Sequence, residues 1–212
     1  MLKILIADDH AMVRRGLKAM LEQHDGWQIC AEAATGREAV NLAAKHRPDI
    51  AILDIAMPEL NGLEATRGIR SASPTTAILI FTMVESTRLI RDVLMAGARG
   101  YLLKSDLDRH VIDAVATLAS HRPYLGGAVG NDILDGFLRD AATKSDTELL
   151  TPREREAIQM IAEGLSSKQI ALKLNVSLKT VETHRTSLMR KIGAHSVADV
   201  VRYAIKNDIS QA

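Results

Sequence analysis

Aromatic residues are scarce in this chain: one Trp, three Tyr and two Phe make up 3% of its 212 residues. Its cores must therefore be aliphatic. The single cysteine, Cys30, excludes an internal disulfide, and its apolar neighbours read as those of a buried strand thiol. No apolar run approaches the ~20 residues that a membrane span requires. The run at residues 4–7 is too short for a signal-peptide core and meets Asp8 and Asp9 at once. Net charge is nearly absent too, since 27 Lys+Arg face 26 Asp+Glu. With 47% hydrophobic and 25% charged residues, the expectation is a cytoplasmic protein of two domains with no membrane partner.

The balanced total hides an uneven distribution. Residues 147–212 carry 10 Lys+Arg against 7 Asp+Glu, and within 165–191 the count is 6 against 1, the lone acid being Glu182. Positive charge confined to one segment is the electrostatic footprint of a nucleic-acid site.

Residues 1–120 alternate between strand and helix patterns. Strands are expected at Leu2–Ala7, Trp27–Ala33, Ile50–Leu53, 77–81 and Gly100–Leu103, with helices near 10–23, 37–46, 62–70, 86–96 and Leu107–Ala119. Such alternation implies parallel pairing through right-handed crossovers, hence a five-stranded doubly wound α/β sheet. Residues 121–146 gather Pro123, Gly126, Gly127, Gly130 and Gly136 and read as a linker, with a short helix allowed at 132–139. Residues 147–212 read as an all-α domain of four helices. Thr151-Pro152-Arg153-Glu154 is a capping box with proline in the first helical position, and Ser166-Ser167-Lys168-Gln169 repeats the box. A short helix, a tight turn at Asn175-Val176 and a longer helix over 177–192 make helix-turn-helix geometry.

Four strands end in polar groups: Asp8-Asp9, Asp54, Thr82 and Lys104. In doubly wound sheets ligands lie beyond the carboxyl ends of the strands. Three carboxylates, a hydroxyl and an ammonium gathered there suit Mg²⁺ and a phosphoryl group. Asp8, Asp9, Asp54 and the Ala56 backbone carbonyl are the candidate metal ligands, with Asp54 as the nucleophile. Lys104 neutralises phosphoryl charge and Thr82 donates a hydrogen bond to it. The plainer reading is that such aspartates cap the following helices and that Lys104 is a solvated loop residue. All five groups at strand ends, in this order, favour the site.

In the basic helix, Val181, Leu188 and Ile192 mark the core stripe, and His184 beside it reads as a half-buried packing residue. Glu182 suits a cytosine amine, and Thr183 or Thr186 a thymine methyl. Lys179, Arg185, Arg190 and Lys191 are cast as phosphate contacts on double-stranded DNA. A basic helical face is common on small bundles; it is the capping boxes, helix lengths and confined charge together that point to DNA.

The first domain resembles the receiver domain of bacterial response regulators. The resemblance is carried by Asp8-Asp9, by Leu53-Asp54-Ile55-Ala56-Met57-Pro58 with Gly62, by Thr82, and by Tyr101 three residues before Lys104. It implies a flavodoxin-like fold, phosphoryl transfer from a sensor histidine kinase to Asp54, and a switch in which Thr82 and Tyr101 move together. Residues 149–206 resemble the LuxR-type helix-turn-helix through Leu150-Thr151-Pro152-Arg153-Glu154, Gln169-Ile170-Ala171, Lys179-Thr180-Val181-Glu182-Thr183-His184 and Leu188-Met189-Arg190-Lys191-Ile192. That resemblance implies a homodimer on DNA when phosphorylated, with its contact on the fourth helix, for which Val197, Val200, Val201 and Ala204 are the apolar candidates. Together they imply a phosphorylation-controlled transcriptional regulator and no enzyme. An Asp-nucleophile phosphatase would need a substrate-binding cap, for which no insertion is long enough. A phosphorylation-independent regulator stays open, although the intact acidic set argues against it.

Two positions depart from the receiver pattern: Ser105 stands where proline often follows the lysine, and Met83 where alanine often follows the threonine. A cis bond without proline costs ~3 kcal/mol, so the Lys104–Ser105 bond is expected trans. Met83 narrows access to Asp54. Ala56 and Val84, two positions beyond Asp54 and Thr82, cannot orient a hydrolytic water with their side chains. The phosphoryl group on Asp54 is therefore expected to persist for many minutes in the purified protein; a half-life of seconds would contradict this.

Overall fold

Along the central strands, side chains alternate between two separate aliphatic cores. Leu5, Ala7, Ala51, Leu53, Ile78, Ile80 and Tyr101 face one core, while Ile4, Ile6, Ile50, Ile52, Leu79, Phe81 and Leu102 face the other. A strand buried on both faces reads as a continuous apolar run, as these do in the sequence. The structure is a computed structural model that describes residues 1–126, 150–207 and 209–210. The chain divides into two units, residues 1–142 and 143–212.

In the first unit the strands are β1 (Leu2–Ala7), β2 (Trp27–Ala33), β3 (Ile50–Leu53), β4 (Ala77–Thr82), β5 (Gly100–Leu103) and β6 (Tyr124–Leu125). The helices are α1 (Ala11–Leu21), α2 (Gly36–His46), α3 (Gly62–Ala72), α4 (Thr87–Met95) and α5 (Leu107–Ala119). The strands pair in parallel in the order β2-β1-β3-β4-β5-β6. Helices α2, α3 and α4 cover one face through Ala39, Ala43, Ala65, Ile69, Leu89, Ile90 and Val93. Helices α1 and α5 cover the other through Leu17, Leu21, Val111, Ala114, Val115 and Leu118.

The expectation of five strands falls one short. Tyr124 N donates to the Arg99 carbonyl and Gly126 N to the Tyr101 carbonyl, each at 3.0 Å, so residues beyond 120 satisfy backbone groups that β5 would otherwise leave on its open edge. The first five residues assigned to the linker therefore lead into and form an edge strand of the sheet. The helix considered at 132–139 lies outside the described residues. Cys30 is half-buried rather than buried, because β2 is the opposite edge strand.

Register places the chemistry. Ala7 pairs with Leu53 and Leu53 with Ile80, and Asp54 N donates to the Ala7 carbonyl at 2.9 Å. Asp8 and Asp54 thus leave adjacent strands at the same level. Thr82 pairs with Leu103, so Lys104 follows β5 two residues beyond the Asp54 level, and its long side chain reaches back to the carboxylates. Strand order reverses about β1, whose neighbours are β2 and β3, so both aspartates stand beside the switch point.

The second unit holds α6 (Pro152–Ala162), α7 (Ser167–Leu174), α8 (Leu178–Ile192) and α9 (Val197–Lys206). Capping boxes open α6 at Thr151, α7 at Ser166 and α9 at Ser196, and Ser177 caps α8. Asn175 at φ 52° and Gly193 at φ 66° close α7 and α8 in the left-handed region. The core joins Ile158 and Ile161 of α6, Ile170 and Leu174 of α7, Val181 and Leu188 of α8, and Val200 and Ala204 of α9.

Gly62, the first residue of α3, is required by proximity. A Cβ there would lie 2.2 Å from the Asp54 carbonyl oxygen, so only glycine lets the helix start close against the loop that follows β3. Gly62→Ala is expected to lower the unfolding free energy by about 1–3 kcal/mol through overpacking. Urea unfolding of the full chain reads this, and an unchanged first-unit midpoint would contradict it.

Candidate functional site

Two buried carboxylates and one ammonium form the centre of the first unit's site. Asp8 and Asp54 are 1% and 3% exposed. Lys104, in the one-turn 3₁₀ segment Lys104–Asp106 after β5, places Nζ 2.7 Å from Oδ2 of each. The other Asp54 oxygen accepts from the Ile55 N–H at 2.6 Å. Burial pulls the Lys104 pKa down, but its hydrogen bonds to Asp54 and Asp8 outweigh that and hold it above the ordinary lysine value. The ammonium is therefore charged across the physiological range. The Lys104–Ser105 bond is trans, as expected.

Asp9 is nearer the surface. Its Oδ1 lies 2.7 Å from His10 Nδ1, which is also 3.4 Å from Asp8 Oδ1. Among the described residues Asp8, Asp9, His10 and Asp54 bring ligand atoms within 4.8 Å of one another, a set suited to a divalent cation. Asp8 Oδ2 is buried 2.7 Å from the Lys104 ammonium, and a carboxylate oxygen keeps a second lone pair beyond that one contact. Carboxylate oxygens of this kind fit a hard cation. Ala56 lies half-buried in the loop two residues past Asp54. His10 was not among the sequence candidates. Its place next to Asp8-Asp9 was visible, but only the turn into α1, where His10 N donates to Asp8 Oδ1 at 2.8 Å, shows its ring reaching the cluster.

Thr82 is buried and ends β4. Its Oγ1 accepts from Val84 N at 3.3 Å. The fully buried Tyr101 donates its hydroxyl to the Val84 carbonyl. One residue thus ties both proposed switch side chains through its backbone, a link that no side-chain pattern announces. Met83, between them, is 72% exposed and turned to solvent.

On α8, Lys179, Glu182, Thr183, Thr186 and Arg190 are exposed on one face, with Val181 and Leu188 in the core. His184 is half-buried, as read from the sequence. Two of the predicted phosphate contacts also have partners within the unit. Arg185 Nη1 donates to Ser167 Oγ at 3.0 Å, tying α8 to α7. Lys191 Nζ sits 2.7 Å from Glu154 Oε2, and Ser187 Oγ donates to Glu154 Oε1 at 2.7 Å. Glu154 also accepts from Thr151 N at 2.8 Å, so the carboxylate that completes the α6 capping box fastens α8 as well. On α9, Val200 and Ala204 belong to the core, whereas Val197 and Ile205 are each 48% exposed and Val201 is half-buried. Spaced by four, these three form the helix's outer apolar stripe; Ile205 was missed in the sequence.

Residues 4–116 match the response regulator receiver domain, and residues 148–204 match the bacterial regulatory proteins of the luxR family. The chain is similar to the oxygen regulatory protein NreC of Staphylococcus epidermidis, 39% identical over 98% of this chain and 99% of that protein. NreC of Staphylococcus carnosus is 38% identical over the same shares. Among solved structures, RcsB of Salmonella enterica serovar Typhimurium, bound to a promoter in the presence of phosphomimetic BeF₃⁻, matches with a TM-score of 0.60 and 26% identity, over 100% of this chain and 99% of that one. A two-component response regulator of the LuxR family from Aurantimonas sp. SI85-9A1 matches with a TM-score of 0.61 and 32% identity, over 64% of this chain and 97% of that one.

Glu154 sets a pH dependence. Burial opposes its ionisation, but the Lys191 ammonium, the Thr151 N–H and the Ser187 hydroxyl outweigh that and lower its pKa from 4.5 to about 2. A depressed carboxylate stabilises fully above the ordinary value and loses that contribution as pH falls through the folded value. On the order of 3 kcal/mol is thus lost between pH 4.5 and about 2. In urea unfolding, Glu154→Gln is expected to narrow its stability deficit to wild type across that window; a constant deficit would refute the assignment.

Proposed function

The chain belongs to the two-component response regulators that join a receiver domain to a LuxR-type DNA-binding domain, transcription regulators controlled by phosphorylation, and on that footing we propose that Asp54 is its phosphoacceptor and α8 its recognition helix. The observation that carries the first part is the Lys104 ammonium held 2.7 Å from both Asp8 and Asp54. A sensor histidine kinase presents a phosphohistidine. An Asp54 carboxylate oxygen attacks its phosphorus, the P–N bond breaks, and Asp54 becomes an acyl phosphate. Lys104 offsets negative charge on the transferring oxygens. Asp8, Asp9, Asp54 and the Ala56 carbonyl are the residues that would hold Mg²⁺, which when bound neutralises phosphoryl charge.

Modification replaces the single carboxylate charge at Asp54 with an acyl phosphate of about −1.5 to −2 and adds new acceptor oxygens there. The Thr82 hydroxyl can turn its hydrogen toward a new acceptor there. Since Thr82 and Tyr101 are both bonded to Val84, that turn is felt at Tyr101. The modified state favours a homodimer on duplex DNA, with the Val197, Val201 and Ile205 stripe of α9 as the dimer contact. On α8, Lys179 and Arg190 contact phosphates; Arg185 and Lys191 do so with the donors that Ser167 and Glu154 leave them. Among the described residues no helix is long and apolar enough to cross a membrane, and the work of the protein is cytoplasmic.

With labelled acetyl phosphate and Mg²⁺, the wild type is expected to take up phosphoryl stoichiometrically and Asp54→Asn none. The same treatment is expected to tighten wild-type binding, roughly 5–150-fold, to a duplex selected from a random pool, and to leave Asp54→Asn unchanged. A labelled Asn variant would sink the site assignment. Equal wild-type affinity with and without donor would make the receiver a dimerisation module only.

A further inference from the structure

The hydroxyls of α8 are engaged within their own unit. Thr183 Oγ1 donates to the Lys179 carbonyl at 2.9 Å, and Thr186 Oγ1 to the Glu182 carbonyl at 3.0 Å. Ser187 donates to Glu154, and Thr180 Oγ1 shares a 2.8 Å contact with Ser177 Oγ. A hydroxyl has one hydrogen. While these bonds stand, Thr183 and Thr186 have none to offer outward. What they present is a γ-methyl and an acceptor lone pair.

Their neighbours sharpen the point. At 3.6 residues per turn, positions 179, 182, 183, 186 and 190 share one face, and all five are exposed. Its nitrogen donors, Lys179 and Arg190, stand at the two ends, ~16 Å apart along the axis. Between them lie Glu182, which only accepts when ionised, and the two threonines. Arg185 is turned aside to Ser167. The centre of the face therefore has no outward donor. Guanine shows only acceptors in the major groove, whereas thymine adds a methyl and adenine and cytosine add amines. Breaking an α8 hydroxyl bond to reach a base acceptor would exchange one acceptor for another, with little net gain.

We propose that Thr183 and Thr186 read thymine through their γ-methyls, their hydroxyl hydrogens being held by the helix backbone, so that the middle of the site is chosen by apolar contact rather than by donation to guanine. This rests on α8 being the recognition helix. A pairing of two methyls excludes water between them and is lost when either is removed.

The test uses the full chain with Mg²⁺ and acetyl phosphate, and a duplex selected by it from a random pool. Replacing thymines one at a time by deoxyuridine is expected to weaken binding about fourfold at one or more positions per half-site. Thr183→Val and Thr186→Val keep the methyl and lose the hydroxyl, and are expected to keep the wild type's sensitivity to the matching deoxyuridine. Thr183→Ser or Thr186→Ser is expected to weaken binding about fourfold and to become insensitive to the matching deoxyuridine. Loss of that sensitivity in the valine variants, or indifference of the wild type to every deoxyuridine, would overturn this proposal alone. Failure of the wild type to enrich any duplex would overturn the DNA reading and this proposal with it.

Discussion

A single ammonium holds the receiver site together. Asp8 and Asp54 are both removed from water and leave neighbouring strands at the same level, where two bare carboxylates repel each other. Lys104 reaches both at 2.7 Å and makes the pair tolerable. Taking one partner from such a buried arrangement typically costs about 3–5 kcal/mol. The rest of the unit serves that geometry. Strands β1, β3, β4 and β5 must be parallel and in register for residues 8, 54, 82 and 104 to meet, and Gly62 must lack a side chain for α3 to close beneath the loop.

The second unit uses the same physics for another purpose. Glu154 is buried and bonded to Thr151, Ser187 and Lys191, so one carboxylate both starts α6 and fixes the far half of α8. Arg185, bonded to Ser167, fixes α8 against α7. A recognition helix held from both neighbours keeps its exposed face in one orientation, which is what reading base edges requires.

Much of this was legible beforehand because the patterns are local. Apolar runs ending in Asp, Thr or Lys mark strands buried on both faces. Ser and Thr three residues before Glu or Gln mark helix starts, and α6 and α7 begin where those boxes place them. The sixth strand was not legible. Tyr124 and Leu125 are too short a run to carry a period, and only the open edge of β5 recruits them. Nor was the direction of Lys191. A lysine near a helix end reads as a solvated cation until a buried carboxylate from 37 residues away appears beside it.

The chain's own residues determined the parallel sheet, the basic helical domain and the identity of the acidic set, because each rests on spacing within a segment. Tertiary structure alone decided what each polar group touches. Whether Val200 or Val197 is covered on α9, whether His10 joins the aspartates, and whether a threonine on α8 shows its hydroxyl or its methyl depend on neighbours distant in sequence or on a rotamer. Periodicity specifies which side of an element is buried; the partner of a polar atom is set by the packing of elements against one another and by local torsion angles, and neither is written in the order of residues along one of them.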